Sequence, residues 1–213
     1  MVEKDWHELK EAFLLGVLFH DVGKIVQRAQ EDPTRLTHQE WGYEWLLKHL
    51  PEQLKHRGLI AQIAKLHHAY SPKKTPFEKL ENLSVFHETN KSNLTLLAYQ
   101  SDNLSASERK PVSIEEQEYG AWQSDLALTS VFSKISLTHD KKKPKYNNCW
   151  RFLPGRVMSE IDMNYPVEDT KLDRNVYKQI LTDFEYDLKL IGENLNINNA
   201  LILYEKYCSY VPA

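Results

Sequence analysis

His20 and Asp21 are adjacent in the sequence and end an apolar run, residues 12–19. Histidine offers a neutral nitrogen and aspartate a hard oxygen, a mixture that suits a first-row divalent metal. An apolar wall around such ligands restricts water and favours metal binding. More residues of the same types follow along the chain: His38, the pair His67-His68, and Asp102. The pattern predicts a metal-dependent phosphohydrolase.

Lys24 lies one helical turn after His20, where its charge could hold a phosphate oxygen or a metal-bound hydroxide. Divalent metals lower the pKa of bound water and polarise phosphoryl oxygens, so the expected reaction is hydrolysis of a phosphoester bond. Asp21 could flank one ion or bridge two. Arg28 and Arg109 are, with Lys24, the candidate substrate-binding residues.

Several of these residues have an alternative interpretation. Asp21 could be an ion-pair partner of Lys24 or Arg28. A histidine such as His38, at the start of a helix, could be solvated, and Asp102 could cap a turn because Asp-Asn-Leu-Ser is favourable turn chemistry. The full set is nevertheless hard to attribute to coincidence. The remaining histidines are expected to be structural: His49, His56, His87 and His139.

Helical spacing of apolar residues predicts the elements that position these side chains. Thr37, with Glu40 three residues later, is a candidate capping box for the helix that carries His38. The residues Trp41 and Trp45 on that helix have core spacing. The predicted helices cover residues 5–29, 38–49, 52–69, 78–104 with an uncertain break near 89–93, 171–191 and 198–208.

Residues 126–137 and 148–153 have strand-like composition and flank a polar turn with a basic tip, residues 141–145, which predicts a β-hairpin. This tip is either solvated charge or a phosphate contact. The predicted fold is mainly α, a helical bundle with a small β-hairpin. A single domain, 1–213, would comprise metal-site helices in 1–110, an insertion in 111–170 and closing helices in 171–208.

Composition excludes several classes of protein. The 213 residues are 41% hydrophobic with seven Gly and nine Pro, which fits a packed domain. A net charge of −3 gives no global attraction to nucleic acid. Cys149 and Cys208 form no Cys-x-x-Cys motif, which argues against a zinc ribbon and fits reduced thiols. The longest apolar run is too short to cross a membrane, so we expect a cytoplasmic protein without membrane contact.

Three stretches carry a resemblance to a known family: 18–29, His67-His68 and 101–109. The sequence resembles the N-terminal HD nuclease domain of the large, Csm-type subunit of type III CRISPR–Cas effector complexes. Residues 130–135 and 204–207 are also similar, so the resemblance covers nearly the whole chain. Ser101 stands where the family usually has Ala.

The resemblance implies a circularly permuted HD bundle, whose permuted helices would come from 171–208. It implies cleavage of single-stranded DNA with one or two divalent transition-metal ions, Mn, Ni or Co. His20, Asp21, His67, His68, Asp102 and His38 would be the metal ligands, and His20, Asp21 and Lys24 the catalytic residues. The expected partners are crRNA-containing complex subunits and target RNA, bound through a longer protein of which this chain is a fragment.

Two other functions are compatible with the same residues. One is an HD phosphohydrolase that acts on nucleotides or cyclic dinucleotides. The other is a non-catalytic scaffold module that docks partner subunits and needs no metal.

Overall fold

The computed structural model describes residues 2–68, 92–107 and 172–208, which form seven α-helices and no strand. The mainly helical fold is therefore confirmed, while both strands of the predicted hairpin lie outside the described residues. No helix in these ranges is long and apolar enough to cross a membrane. The helices are α1 (Val2–Phe19), α2 (Val22–Ala29), α3 (His38–His49), α4 (Arg57–Leu66), α5 (Ser92–Ser107), α6 (Arg174–Ile191) and α7 (Ile197–Cys208), with a 3-10 turn at Gly192–Asn194.

The prediction of a single helix over residues 5–29 is wrong, because the helix is interrupted at His20 and Asp21, which lie between α1 and α2. The backbone of Asp21 has φ −99° and ψ 4°, outside the helical range. Helix α1 packs chiefly on α4, whereas α2 packs on α3 and α6, so the chain must change direction between them. The break frees the two side chains from the rotation of about 100° per residue that one continuous helix would impose.

The capping box predicted at the start of α3 is confirmed. The Thr37 side chain accepts a hydrogen bond from the Glu40 backbone N–H at 3.3 Å, and the Glu40 carboxylate accepts one from the Thr37 backbone N–H at 2.9 Å. Such a cap stabilises a helix start by about 1 kcal/mol. It fixes the position of His38, the first residue of the helix.

Helix α4 is shorter than the predicted span of 52–69. It begins at Arg57, after His56 in the left-handed region at φ 56°, and it ends at Leu66. His67 and His68 therefore follow the helix end rather than lying within the helix. The predicted helix over 78–104 is described only from Ser92 onward, and the two C-terminal helices match their predicted spans to within three residues.

Two glycines bring the backbones of α2 and α3 into direct contact. A Cβ on Gly23 would overlap the carbonyl oxygen of His38 and lie 2.7 Å from the backbone nitrogen of Gly42. A Cβ on Gly42 would lie 3.2 Å from the backbone nitrogen of Gly23. No side chain fits between the two helices here. This contact sets Asp21, two residues before Gly23, beside His38.

Aromatic residues join the C-terminal helices to the N-terminal ones. The ring of Phe184 on α6 lies 6.3 Å from Phe19, 5.4 Å from Trp45 and 5.5 Å from Tyr207, measured between ring centroids. All four side chains are buried, which confirms the core placement predicted for Trp45. Helices α6 and α7 thus complete the same hydrophobic core that supports α1, α2 and α3.

We expect the substitution Gly23→Ala to destabilise the protein by about 3 kcal/mol or more, because the new methyl group overlaps backbone rather than a movable side chain. Gly58→Ala is the matched control, since a Cβ there has nothing within 4 Å. That variant should gain about 0.5–1 kcal/mol from its helix propensity. Urea denaturation measures both free energies of unfolding, and equal stability of the two variants would contradict the close-contact argument.

His49 should make stability depend on pH. Its ring stacks on Trp45 at 5.0 Å and its Nε2 lies 3.4 Å from a carboxylate oxygen of Glu185, and burial lowers its pKa. A lowered folded-state pKa gives stability that is fully present above the unfolded value of about 6.5 and is lost as pH falls through the folded value. In EDTA, the free energy of unfolding should fall less between pH 7.5 and 5.5 in His49→Phe than in the wild type. Parallel curves would contradict this.

Candidate metal centre

The carboxylate of Asp21 is the point on which the candidate site converges. Its Oδ1 lies 3.4 Å from Nε2 of His67 and 3.7 Å from Nε2 of His38, and these two nitrogens are 3.3 Å apart. Its Oδ2 accepts a hydrogen bond from Lys24 Nζ at 2.7 Å. Oδ1 itself is buried without a hydrogen-bond partner among the described residues. A buried carboxylate oxygen in this state is ready for a cation.

Backbone carbonyls fix the orientation of two histidine rings. His67 Nδ1 donates to the carbonyl of Ala64 at 2.6 Å, and His20 Nδ1 donates to the carbonyl of Val17 at 2.7 Å. A neutral imidazole carries one proton, so these bonds leave the Nε2 lone pairs free. Both Nε2 atoms face Asp21. This is the arrangement in which metal-binding histidines are held.

The separations between the donor atoms fit a first-row metal. Ligands about 2.1 Å from one ion lie roughly 3.0 to 3.4 Å apart in octahedral or tetrahedral geometry. The three observed separations among His38, His67 and Asp21 are 3.3, 3.4 and 3.7 Å. Nitrogen atoms of His38, His67 and His68 also lie within 4.8 Å of one another. These residues could therefore hold a divalent metal.

His20 and Asp102 form a second group of donors on the other side of Asp21. His20 Nε2 lies 3.4 Å from Asp21 Oδ2 and 3.6 Å from Asp102 Oδ1. Asp102 lies within helix α5 and does not begin a turn. Asp21 therefore stands between two groups of potential ligands, an arrangement with room for one ion or for two bridged by the carboxylate.

The protonation states suit metal binding at neutral pH. Burial, together with the neighbouring His67, lowers the pKa of His38 to about 4, and burial also lowers the pKa of His68. Burial alone would raise the pKa of Asp21, but the nearby imidazoles of His67 and His20 and the hydrogen bond from Lys24 lower it well below its usual range. At neutral pH the site thus presents an ionised Asp21 carboxylate beside the neutral imidazoles of His38 and His68.

The predicted substrate-binding residues have different surroundings. Lys24 is paired with Asp21 and stays close to the site. Arg28 contacts α6 instead, where its guanidinium lies over the Tyr177 ring at 5.5 Å and donates to the Tyr177 hydroxyl at 3.2 Å. Arg109 lies outside the described residues. The ring of His68, which is exposed, lies 4.2 Å from the ring of His67.

The sequence of residues 2–107 matches the family model of the HD domain. The matched span contains every donor of the site: His20, Asp21, His38, His67, His68 and Asp102. This chain carries an HD domain. The matched helices, α1 to α5, are the ones that bring these donors together, while the HD-domain core also includes α6 and α7 from outside the span.

Relatives of this HD domain confirm the resemblance inferred from its motifs. The chain is 26% identical, over 95% of its length, to a CRISPR system single-strand-specific deoxyribonuclease Cas10/Csm1 (subtype III-A) from Methanocaldococcus jannaschii. Crystal structures of a Csm1–Csm4 cassette, with pppApApA and with one ATP, superpose with TM-scores of 0.53 and 0.52 at 19% identity over 95% of this chain. The chain spans 23% of the curated relative and 24% of the crystallised one.

Sequence reasoning missed a cavity that opens at the metal site. It has a volume of about 170 Å³ and lies between α1, the end of α4 and α5. Its walls comprise His20, His67 and Asp102 of the site and four further residues: Val17, Ala98, Ser101 and Ser105. The spacing of Ala98, Ser101 and Ser105 on one helix was a usable signal, but small residues at that spacing occur on many helix faces.

Asp21→Asn should weaken Mn²⁺ binding at least about 100-fold, because it removes the charged ligand at the centre of the site and leaves its shape intact. Asp5→Asn is the matched control, since Asp5 is exposed on α1. Isothermal titration of the metal-free protein with Mn²⁺ measures both affinities. Equal affinity in the two variants would show that Asp21 is not a ligand.

Proposed function

We propose that this HD domain is a metal-dependent nuclease that hydrolyses phosphodiester bonds of single-stranded DNA in a type III CRISPR effector. The observation that carries the proposal is the buried, unsatisfied Oδ1 of Asp21 facing two histidine nitrogens. A relative that matches nearly the whole chain is described as a single-strand-specific deoxyribonuclease. The site supports hydrolysis, and the relative supports the substrate class.

The site residues have different roles in the proposed reaction. A divalent metal, when bound, would supply Lewis-acid activation of water and of a phosphoryl oxygen. Asp21, His38 and His67 would hold it, with His20 and Asp102 as further candidate ligands near Oδ2 of Asp21. Lys24, which is within hydrogen-bond distance of Asp21, places a positive charge where the phosphate would lie and offsets charge that builds up on its oxygens.

The identity of the metal is inferred from the donor chemistry, and the partners are inferred from the resemblance to the Csm-type large subunit. A site of imidazole nitrogens and carboxylate oxygens suits Mn²⁺, Ni²⁺ or Co²⁺, with one or two ions. His68, exposed beside His38 and His67, is the candidate for an added ligand. Partner subunits that carry crRNA, and the target RNA, would be bound through the longer protein.

We expect the chain to cleave an oligodeoxythymidylate when Mn²⁺ is added and to lose this activity, by at least about 1,000-fold, in the double variant His20→Ala/Asp21→Ala, because both ligand groups are affected. The matched control is Asp5→Ala/His7→Ala, a double change of the same residue types at exposed positions of α1. Gel analysis of end-labelled DNA gives the rates. Equal cleavage by the two double variants would refute the assignment.

Competition separates the nuclease from the other two functions. Excess mononucleotide or cyclic dinucleotide should leave the rate of DNA cleavage nearly unchanged if a polymer is the substrate. Preferred hydrolysis of the small nucleotide would instead favour a nucleotide phosphohydrolase. A purified protein that binds no Mn²⁺ would favour a scaffold.

A further inference from the structure

We infer that the cavity beside the metal site is a subsite for the sugar ring attached to the phosphate that is hydrolysed. The inference rests on the proposed nuclease function. It specifies which part of the nucleotide the protein contacts beside the metal. The cavity shares His20, His67 and Asp102 with the metal site, so its contents would lie directly next to a phosphate held there.

The chemistry of the walls favours an uncharged group. Val17 and Ala98 present only hydrocarbon, and Ser101 already donates its hydroxyl to the Leu97 carbonyl at 2.9 Å. Among the described residues that line the cavity there is no Lys or Arg. Away from the metal-site wall, the described lining thus offers hydrocarbon and hydroxyl groups rather than a cation for a second phosphate. The first uncharged group along a nucleic-acid chain from any phosphate is the sugar.

The volume of the cavity favours one ring of a longer chain. Sites that enclose a whole small molecule measure roughly 300–1,000 Å³. The cavity measures about 170 Å³ and is smaller than such sites. This volume suits one five-membered ring better than a complete nucleotide. This size fits a polymer that enters the site with one ring and continues past it.

Two oligomers that differ only in the ring test the subsite. One is built from abasic tetrahydrofuran phosphodiester units and the other from propanediol phosphodiester units, which have the same charge and the same carbon path between phosphates. With Mn²⁺, the wild-type chain should cleave the ring-containing oligomer with a kcat/KM about tenfold higher, the size of effect that a small apolar contact supplies. The metal-free chain should also bind the fluorescein-labelled ring-containing oligomer more tightly, as measured by anisotropy.

Ser101→Phe fills the cavity from an exposed position and should abolish the preference by lowering only the rate on the ring-containing oligomer. Gln100→Phe is the matched control, because Gln100 is the exposed neighbour on the same helix and does not line the cavity. It should keep the tenfold ratio. Titration with Mn²⁺ should give one affinity for both variants and the wild type, since neither residue is a proposed ligand.

The outcomes separate the two proposals. A wild-type chain that cleaves oligodeoxythymidylate but treats the two oligomers alike overturns the sugar subsite and leaves the nuclease function standing. A ring preference that survives in Ser101→Phe also overturns it. A chain that cleaves no oligomer contradicts the nuclease function, and equal anisotropy for the two labelled oligomers then overturns the subsite as well.

Discussion

The contact between Gly23 and Gly42 is the constraint on which the geometry of the site depends. It lets two helix backbones touch where any side chain would hold them apart. The closest approach is between Gly23, two residues after Asp21, and the carbonyl of His38, the first residue of α3. A carboxylate and an imidazole from separate helices therefore meet because nothing stands between their backbones. The capping box at Thr37 then fixes where the second helix begins.

The groups around Asp21, whose side chain is 20% exposed, explain how its partly buried carboxylate is tolerated. Taking an ionised Asp out of water costs several kcal/mol unless charge and hydrogen bonds compensate. Lys24 compensates at one oxygen of Asp21, and the other oxygen faces only imidazole nitrogens. That oxygen is itself buried. The polar residues are thus arranged for a cation, since Oδ1 of Asp21 has no hydrogen-bond partner among the described residues.

Sequence patterns predicted most of the helices because helical periodicity is local, and the candidate donors they singled out, His20, Asp21, His38, His67 and Asp102, lie close together in the structure. The periodicity of apolar residues located α3, α6 and α7, and the Thr37–Glu40 pair marked the start of one of them. Among these candidate donors, the side chain of His67 is only 1% exposed.

Sequence patterns did not predict the features that depend on tertiary contacts. The break at His20 and Asp21 arises because α1 and α2 pack on different partners, and no local residue signals it. The hydrogen bond from Arg28 to the Tyr177 hydroxyl on α6 could not be predicted either, since Tyr177 lies far along the chain. The cavity beside Asp102 forms only where α1, the end of α4 and α5 meet, so no single segment of the sequence predicts it.

The hydrogen bonds from His20 and His67 to backbone carbonyls also bear on sequence divergence. A carbonyl belongs to every residue, so the acceptors at positions 17 and 64 survive any substitution that leaves the helices intact. The supports that orient the ligands are therefore not encoded by particular side chains. Homologues can drift at these positions and keep the same ring orientation, and an alignment would show no trace of it.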